Sequence, residues 1–178
     1  MTDSKESYQE LSAKLGIAEK DIPLLRQAFV HRSYCHENGG DSNERLEFLG
    51  DSVLSLTISE YLYKNYPQKS EGELSKWRAS LVNSEKLATI ARELDLGRFL
   101  LLGTGEERSG GRKRSSLLAD VMEALIAVVY LVSGIEKARE FVVELWHPHI
   151  EALRDSKRPL DAKTMLQEVL QRKGETPK

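Results

Sequence analysis

The sequence has 178 residues, of which 40% are hydrophobic and 30% are charged, and its formal net charge is −2. This composition is typical of a globular domain and excludes a chain that binds nucleic acid through overall positive charge. The longest apolar run, residues 124–132, is shorter than the roughly 20 residues that cross a bilayer. The polar N-terminus and the single cysteine, Cys35, favour the cytoplasm, and we expect no membrane partner.

Charge is distributed unevenly along the chain. Residues 1–153 carry 19 basic and 24 acidic side chains, whereas residues 154–178 carry seven basic and four acidic ones. An acidic body followed by a basic tail is compatible with a catalytic domain and an RNA-contacting segment. The alternative is an acidic domain followed by an ordinary solvated tail, and charge alone favours that alternative.

Hydrophobic periodicity predicts an all-α fold, because no segment shows sustained alternation of apolar and polar residues. The first predicted helix covers residues 8–15 and ends at Gly16. A second helix begins at Pro23 and fades near Tyr34, and residues 37–42 form a loop. A long helix then covers residues 43–65 and stops before Pro67.

The second half of the chain also predicts helices. Ser70 followed by Glu73 resembles a capping box that opens one helix, and Ser84 can cap the next, which continues to Leu94. Residues 97–114 are Gly-rich and are predicted to be irregular. An apolar helix opens at Ser115 or Ser116 and ends at residues 133–134. A last helix covers residues 135–153.

The long helix carries an acidic stripe. Glu44, Glu47 and Asp51 stand at positions i, i+3 and i+7, which places them along one helical face. The residues between them are largely apolar, so much of this helix is predicted to be buried. Gly50 lies in the same stretch and costs roughly 1 kcal/mol against Ala in a helix interior, which indicates that another element packs very close to it.

The apolar helix that starts near Ser115 has two charged residues in its core-like part, Asp120 and Glu123, at positions i and i+3. Buried carboxylates are costly unless they are paired or bind a metal. If Glu47 and Asp51 meet these two acids, an all-oxygen site results that favours Mg²⁺, with Mn²⁺ as a plausible substitute. Such a site indicates phosphoryl-transfer chemistry.

An alternative is that these acids pair with basic residues. The candidates are Arg45, Arg78, Arg112 and Arg114. For any single carboxylate an ion pair is the better interpretation, but two acidic pairs on two apolar helices favour a metal. The basic stretch formed by Arg108, Arg112, Lys113 and Arg114 therefore has two interpretations: contacts to RNA phosphates, or counter-charges for the acidic site.

Several segments together resemble the ribonuclease III family. Residues 43–54, Asn-Glu-Arg-Leu-Glu-Phe-Leu-Gly-Asp-Ser-Val-Leu, are similar to the family signature over their whole length. The resemblance extends over about residues 20–153 and includes His31-Arg32-Ser33-Tyr34, segments 71–75 and 78–82, segments 102–106 and 109–111, and the second acidic motif at 118–126. It implies a helical endonuclease domain over residues 1–153.

The resemblance also implies roles for individual residues. Glu47, Asp120 and Glu123 match Mg²⁺ ligands, and Asp51 and Glu123 match the residues most directly tied to catalysis. Further acids around the cleavage centre are matched by Glu44, Glu71 and Glu106. The family acts as a homodimer, in which Phe48 matches an aromatic residue that inserts into the partner subunit. The implied reaction is cleavage of double-stranded RNA to 5′-phosphate and 3′-hydroxyl ends, in processing of rRNA or mRNA.

The tail resembles the first helix of an α-β-β-β-α double-stranded-RNA-binding domain. Residues 154–160 are predicted to be a linker, and residues 161–178 the incomplete start of that domain. The RNA-facing side of this helix would carry Thr164, Gln167, Glu168 and Gln171. We expect this segment to be loosely ordered, because a helix of about 12 residues without packing partners is marginal in water.

Two other functions remain open at the level of sequence. All-α, Mg²⁺-dependent nucleoside-triphosphate pyrophosphohydrolases also place paired acids at i and i+3 on two helices. A non-catalytic protein could bind duplex RNA with the same fold. Cleavage of long duplex RNA, as opposed to release of pyrophosphate from nucleotides or binding alone, separates the three hypotheses.

Overall fold

A computed structural model describes the backbone of residues 3–172 and the side chains of residues 8–156. Within residues 3–172 the chain forms helices and no β-strand, which confirms the all-α prediction. An isolated parallel bridge pairs Val30 with Leu101. The helices, in chain order, are α1 (Asp3–Leu15), α2 (Ile22–Gln27), α3 (Arg32–Asn38), α4 (Glu44–Asn65), α5 (Glu71–Leu81), α6 (Ser84–Glu93), α7 (Thr104–Arg108) and α8 (Ser115–Arg172).

The helix predicted from Pro23 to Tyr34 is in fact two helices, α2 and α3. The chain between them is extended enough to pair with distant backbone: His31 N–H donates to the Leu101 carbonyl at 3.1 Å, and Leu101 N–H donates to the Phe29 carbonyl at 2.8 Å. Asn43 N–H also donates to the Val30 carbonyl at 2.8 Å. These long-range bonds replace the intrahelical ones, so a continuous helix is not formed.

Helices α4, α5 and α6 match their predicted positions closely. The capping box is present at the start of α5: Glu73 N–H donates to Ser70 Oγ at 3.4 Å, and Ser70 N–H donates to a Glu73 carboxylate oxygen at 3.0 Å. The cap of α6 is Asn83 instead of Ser84, because the Asn83 side chain accepts from Lys86 N–H at 2.9 Å. Both caps satisfy N–H groups that a helix start leaves free.

The Gly-rich segment predicted to be irregular is ordered by one arginine. It contains α7 and two short 3-10 turns, Leu96–Phe99 and Gly111–Lys113. Arg112 donates to the carbonyls of Gly97, Arg98 and Leu100 at 2.7–3.3 Å and also pairs with Glu107 at 2.6 Å. Arg112 therefore has a structural role, as opposed to the RNA contact that its sequence context allowed.

Helix α8 supplies the centre of the core. Its residues Val121, Met122, Leu125, Ile126 and Val128 are fully buried. The stop predicted at residues 133–134 is a kink: Gly134 has φ 82° and ψ 175°, and the helix resumes after it. The backbone remains helical through residues 154–160, which were predicted to be a linker. The backbone is therefore helical across the segment that was predicted to separate the two domains. The division into a domain ending at residue 153 and a second one starting at residue 161 stays a prediction.

By length and composition alone, the described part of α8 (residues 115–156) could cross a membrane, which the shorter apolar run in the sequence did not suggest. However, 56% of its most apolar window is buried inside the protein. Burial of this kind is typical of the core helix of a folded domain.

The chain divides into two compact units, residues 1–145 and 146–178. In the first unit, three aromatic rings pack together near the N-terminus, with the Tyr8, Phe29 and Phe99 centroids 5.3–5.7 Å apart. Trp77 is buried and packs edge-on against the ring of Tyr66, with centroids 4.9 Å apart. In the second unit, Trp146 and Ile150 are buried, and Arg154 forms an ion pair with Glu151 at 2.6 Å.

Candidate active site

The two acidic helices cross at Gly50. A Cβ atom on Gly50 would lie 1.8 Å from the Glu123 carbonyl oxygen and 2.5 Å from its carbonyl carbon. The backbones of α4 and α8 are therefore in direct contact, which explains why glycine occupies an unfavourable position in the middle of a helix. The close partner that the sequence predicted for Gly50 is the acidic part of α8.

This crossing brings three carboxylates together. One side-chain oxygen each from Glu47, Asp120 and Glu123 lies within 4.8 Å of the other two, and all three side chains are partly buried. Oxygen ligands about 2.1 Å from one Mg²⁺ ion lie at most about 4.2 Å apart, so a small inward rotation of these side chains suffices to bind one. The arrangement could hold a divalent cation, and the assignment of these three residues as its ligands stays a prediction.

Basic side chains do not neutralise this cluster. Within the described residues, none of the three carboxylates makes an ion pair with Lys or Arg at 4.0 Å or less. Three of the four candidate arginines are engaged elsewhere: Arg112 binds carbonyls, Arg114 pairs with Glu106 and Arg78 donates to Ser59. Arg45 is exposed. The ion-pair alternative is therefore not realised at these acids.

The cluster disfavours negative charge on its own members. Burial, followed by the charges of nearby acids, raises the pKa of Glu123 to about 8. Burial also raises the pKa of Glu47, and the negative charge of Asp120 raises it further. Burial raises the pKa of Asp120, against the opposing effect of Arg32. A bound divalent cation would relieve this repulsion.

The raised pKa of Glu123 predicts that metal binding depends on pH. With a pKa of about 8, Glu123 holds a proton at pH 6–7 and must release it to become a ligand. We expect the affinity for Mg²⁺ to rise by up to about tenfold per pH unit below pH 8 and to level off above it. Titration calorimetry at pH 6, 7, 8 and 9 measures this, and an affinity independent of pH over that range would contradict it.

A cleft of about 480 Å³ opens beside the cluster. Its acidic lining consists of Glu44, Glu47, Glu106 and Asp120, and its other lining residues include His31, Arg32, His36, Arg114 and Ser116. Glu106 is held in place by Arg114, with the two charged groups 2.5 Å apart. Glu44 and Glu106 thus line the same cleft as Glu47 and Asp120, and the role that the family resemblance implies for them stays a prediction.

Other predicted site residues lie outside this cleft. Asp51 is exposed one turn after Glu47, and its charge contributes to the raised pKa of Glu123. Glu71 lies in a separate groove of about 770 Å³ between α4 and α5. Phe48 is 78% exposed. The side chains of Thr164, Gln167, Glu168 and Gln171 lie outside the described residues.

Sequence reasoning did not assign a role to His31 or Arg32, although both belong to a segment that carried the family resemblance. Burial lowers the pKa of His31, and its ring accepts from Ser33 N–H at 3.2 Å to cap α3. Arg32 follows directly and lines the acidic cleft. The available signal was the family resemblance of residues 31–34, and it did not reveal which cleft these side chains face.

Comparison with known sequences places these features in a family. A family model described as ribonuclease-III-like matches residues 21–150. This range includes all of α4 and the acidic part of α8. The chain belongs to the ribonuclease III family. It is 47% identical over 177 residues to "Ribonuclease 3" of Pelotomaculum thermopropionicum, covering 98% of this chain and 73% of that protein. It is 52% identical over 167 residues to "Ribonuclease 3" of Thermobifida fusca, covering 93% and 69%.

Solved structures of ribonuclease III proteins share the fold. The nuclease domain of ribonuclease III from Campylobacter jejuni is 42% identical, with a TM-score of 0.71 over 76% of this chain and 92% of that one. Dicer from Pichia stipitis is 29% identical, with a TM-score of 0.57 over 74% of this chain and 57% of that one. These matches do not support the pyrophosphohydrolase alternative.

Proposed function

We propose that this chain hydrolyses phosphodiester bonds inside double-stranded RNA, with Mg²⁺, to leave 5′-phosphate and 3′-hydroxyl ends. As a member of the ribonuclease III family the chain is an endoribonuclease. The observation that carries the site assignment is the convergence of Glu47, Asp120 and Glu123 at the crossing of α4 and α8, with no Lys or Arg ion-pair partner among residues 8–156. A non-catalytic binding protein has no need to maintain such a costly cluster.

In this proposal Glu47, Asp120 and Glu123 hold the metal. Bound Mg²⁺ would make a water molecule more acidic and would stabilise charge on the phosphate; Mn²⁺ could replace it. The carboxylate of Asp51 is exposed and its charge acts on Glu123, and in this proposal it accepts a hydrogen bond from the attacking water and orients it. Glu44 and Glu106 lie farther along the cleft, where Glu106 also holds Arg114.

The proposed function is tested by incubating the protein with long duplex RNA and Mg²⁺ at low salt and analysing the product ends. Low salt is chosen because phosphate contacts weaken steeply as ionic strength rises. We expect shortened duplexes with 5′-phosphate ends, and no products in the presence of a chelator. Intact duplex after incubation with the parent protein would overturn the assignment, and binding without cleavage would favour the non-catalytic hypothesis.

We also propose that the enzyme is a homodimer joined through the exposed apolar side chains of α4. Phe48, Leu56 and Tyr63 are 78%, 54% and 74% exposed, and their spacing of eight and seven residues is close to two helical turns each time. Exposed apolar patches of this kind mark interaction sites. The C. jejuni nuclease domain is described as having a region involved in dimer formation. Since Glu71 shares a groove with Tyr63, any contribution of Glu71 to cleavage is made beside this interface.

Replacing Phe48 with Ala is expected to weaken dimerisation by at least about tenfold, since buried aromatic anchors dominate interface energies. Sedimentation equilibrium over a range of protein concentrations measures the change. Leu94→Ala is the matched control, because Leu94 is also an exposed apolar residue (37%) but lies at the end of α6. An unchanged dimer in Phe48→Ala, or equal weakening in the control, would argue against this interface.

The remaining parts of the proposal concern substrate affinity and cellular role. The polar residues Thr164, Gln167, Glu168 and Gln171 are proposed to contact RNA as the start of a double-stranded-RNA-binding domain. The cellular task proposed for the enzyme is rRNA or mRNA processing in the cytoplasm. These proposals are supported by the sequence resemblance, and the geometry of residues 8–156 bears on neither.

A further inference from the structure

One wall of the acidic cleft carries an arginine without a bonded partner. Arg32 is the first residue of α3, and it lines the same cleft as Glu47 and Asp120. Among residues 8–156 its guanidinium makes no ion pair and no side-chain hydrogen bond. The other arginine of the cleft, Arg114, is already paired with Glu106 at 2.5 Å. Arg32 is therefore the arginine of this cleft that is available to a ligand.

Arg32 is close to the metal-binding cluster but is not bonded to it. Its charge lowers the pKa of Asp120, which shows that the two groups are near enough to interact. An arginine that served only as a counter-charge would be expected to form a bidentate pair with one of the adjacent carboxylates. The lack of such a pair leaves the planar donor set of Arg32 open toward the cleft.

The helix that carries Arg32 is held firmly at the cleft. Ser33 Oγ accepts from Gly103 N–H at 2.9 Å, and the Glu37 carboxylate accepts from Thr104 N–H at 2.8 Å and from Thr104 Oγ1 at 3.0 Å. A Cβ on Gly103 would lie 2.6 Å from the Ser33 carbonyl oxygen, so the two segments are in direct contact. The backbone at Arg32 is thus fixed relative to α7, which reduces the cost of ordering a side chain on a ligand.

We propose that Arg32 binds a phosphate of the RNA strand that enters the acidic cleft, and that it positions this strand for cleavage. The inference rests on the proposed function. A cleft lined by four acids repels the RNA backbone, and a guanidinium at its edge supplies attraction and a defined geometry. Glu47, Asp120 and Glu123 would hold the metal, which would supply charge stabilisation at the reacting phosphate, while Arg32 stays free to bind a phosphate of the same strand.

The test separates RNA binding from cleavage. In the parent background, Arg32→Gln is expected to raise KM for a short duplex RNA by about tenfold, with a smaller change in kcat. In a Glu123→Gln background, which cannot complete the metal site, fluorescence anisotropy measures RNA affinity directly. There the added Arg32→Gln change should weaken binding and reduce the salt dependence of log Kd by about one unit per lost contact. Arg32→Lys should recover part of the affinity, because it keeps the charge but not the bidentate donors.

Arg26→Gln is the matched control. Arg26 is an exposed arginine of the neighbouring helix α2 that contacts the Tyr34 ring and does not line the acidic cleft. The Arg26→Gln substitution removes one positive charge from the same part of the chain as Arg32→Gln does. We expect KM and the salt dependence to stay within about twofold of the parent. Thermal unfolding of both variants checks that each is folded, and the exposure of both side chains predicts little change.

The outcomes distinguish this inference from the proposed function. If Arg32 only balances the carboxylates, Arg32→Gln will strengthen Mg²⁺ binding and leave KM and the salt dependence unchanged, which overturns the inference. Equal losses in Arg26→Gln and Arg32→Gln would also overturn it, since they would reflect general electrostatic attraction. If the parent fails to cleave duplex RNA, the proposed function fails, whereas the anisotropy measurement still reports whether Arg32 contacts RNA.

Discussion

Glu123→Gln is expected to stabilise the metal-free protein at alkaline pH while it reduces RNA cleavage by about a thousandfold or more. Loss of a metal ligand removes several kcal/mol of transition-state stabilisation, and each 1.4 kcal/mol corresponds to roughly a factor of ten in rate. The rise in stability has a separate cause, which is the cost of ionising this carboxyl group inside the acidic cluster. The same substitution therefore changes stability and activity in opposite directions.

The sign of the stability effect follows from the two pKa values. The pKa of Glu123 is about 8 in the folded state and ordinarily 4.5, so the folded state binds the proton more strongly. This contribution to stability is present at low pH and is lost as pH rises from about 5 to about 8. At pH 9 the parent carries the full cost and the Gln variant carries none. After allowance for solvent screening we expect a gain of roughly 1–3 kcal/mol at pH 9 and somewhat less than half of that gain at pH 6.

Urea unfolding in a chelator at pH 6 and pH 9 measures this gain, and single-turnover cleavage of duplex RNA with Mg²⁺ measures the loss. Glu140→Gln provides the control, because Glu140 also lies on α8 but is exposed in a surface pair with Lys137 at 2.6 Å. Surface pairs contribute little, so the control should resemble the parent in both assays. Cleavage at the parental rate by Glu123→Gln would remove this residue from the proposed metal site.

Gly50→Ala is expected to lower the free energy of unfolding by about 3 kcal/mol or more. The new Cβ would lie 1.8 Å from the Glu123 carbonyl oxygen, and the atoms that must yield belong to the backbone of a buried helix. Overpacking against atoms that can move costs about 1–3 kcal/mol, and a backbone contact leaves less room to adjust. The better helix propensity of Ala, worth about 1 kcal/mol, offsets only part of this cost.

Separation of α4 from α8 would also disturb the cluster, because Glu47 and Glu123 lie on opposite sides of the contact. We therefore expect weaker Mg²⁺ binding by titration calorimetry in addition to the lower stability by urea unfolding. Gly72→Ala is the matched control: Gly72 lies in α5, and a Cβ there would meet nothing within 4 Å. That variant should be as stable as the parent or up to about 1 kcal/mol more stable. Equal stability of Gly50→Ala and Gly72→Ala would contradict the proposed helix contact.

Local patterns predicted the elements well where local interactions decide them. The capping box at Ser70 and Glu73, the stop at Gly134 and the course of α4 all follow from short-range chemistry, and the structure has each of them. The helix predicted across residues 23–34 was wrong in its continuity, because the backbone near Val30 bonds to Leu101. A partner 71 positions away leaves no trace in local periodicity.

The acidic residues show the same division. The spacing of Glu44, Glu47 and Asp51 correctly placed them on one helix, but periodicity could not show that Asp51 is exposed while Glu47 faces α8. The family motifs identified Glu71 as a candidate, and only the fold shows that within one chain it lies in a different groove. Helical periodicity sets which residues share a face, whereas the packing of other helices decides what that face meets.

The sequence alone was sufficient for the all-α class and the ribonuclease III family, and it supplied the acids that are proposed for the cleavage centre. These features depend on residue types and short spacings, which the chain displays directly. The tertiary structure was needed for the contact of α4 with α8 at Gly50, the order that Arg112 imposes on the Gly-rich segment, and the position of Arg32 beside the acids. Each of these depends on contacts between residues far apart in the chain, and such contacts are decided by how whole helices pack together.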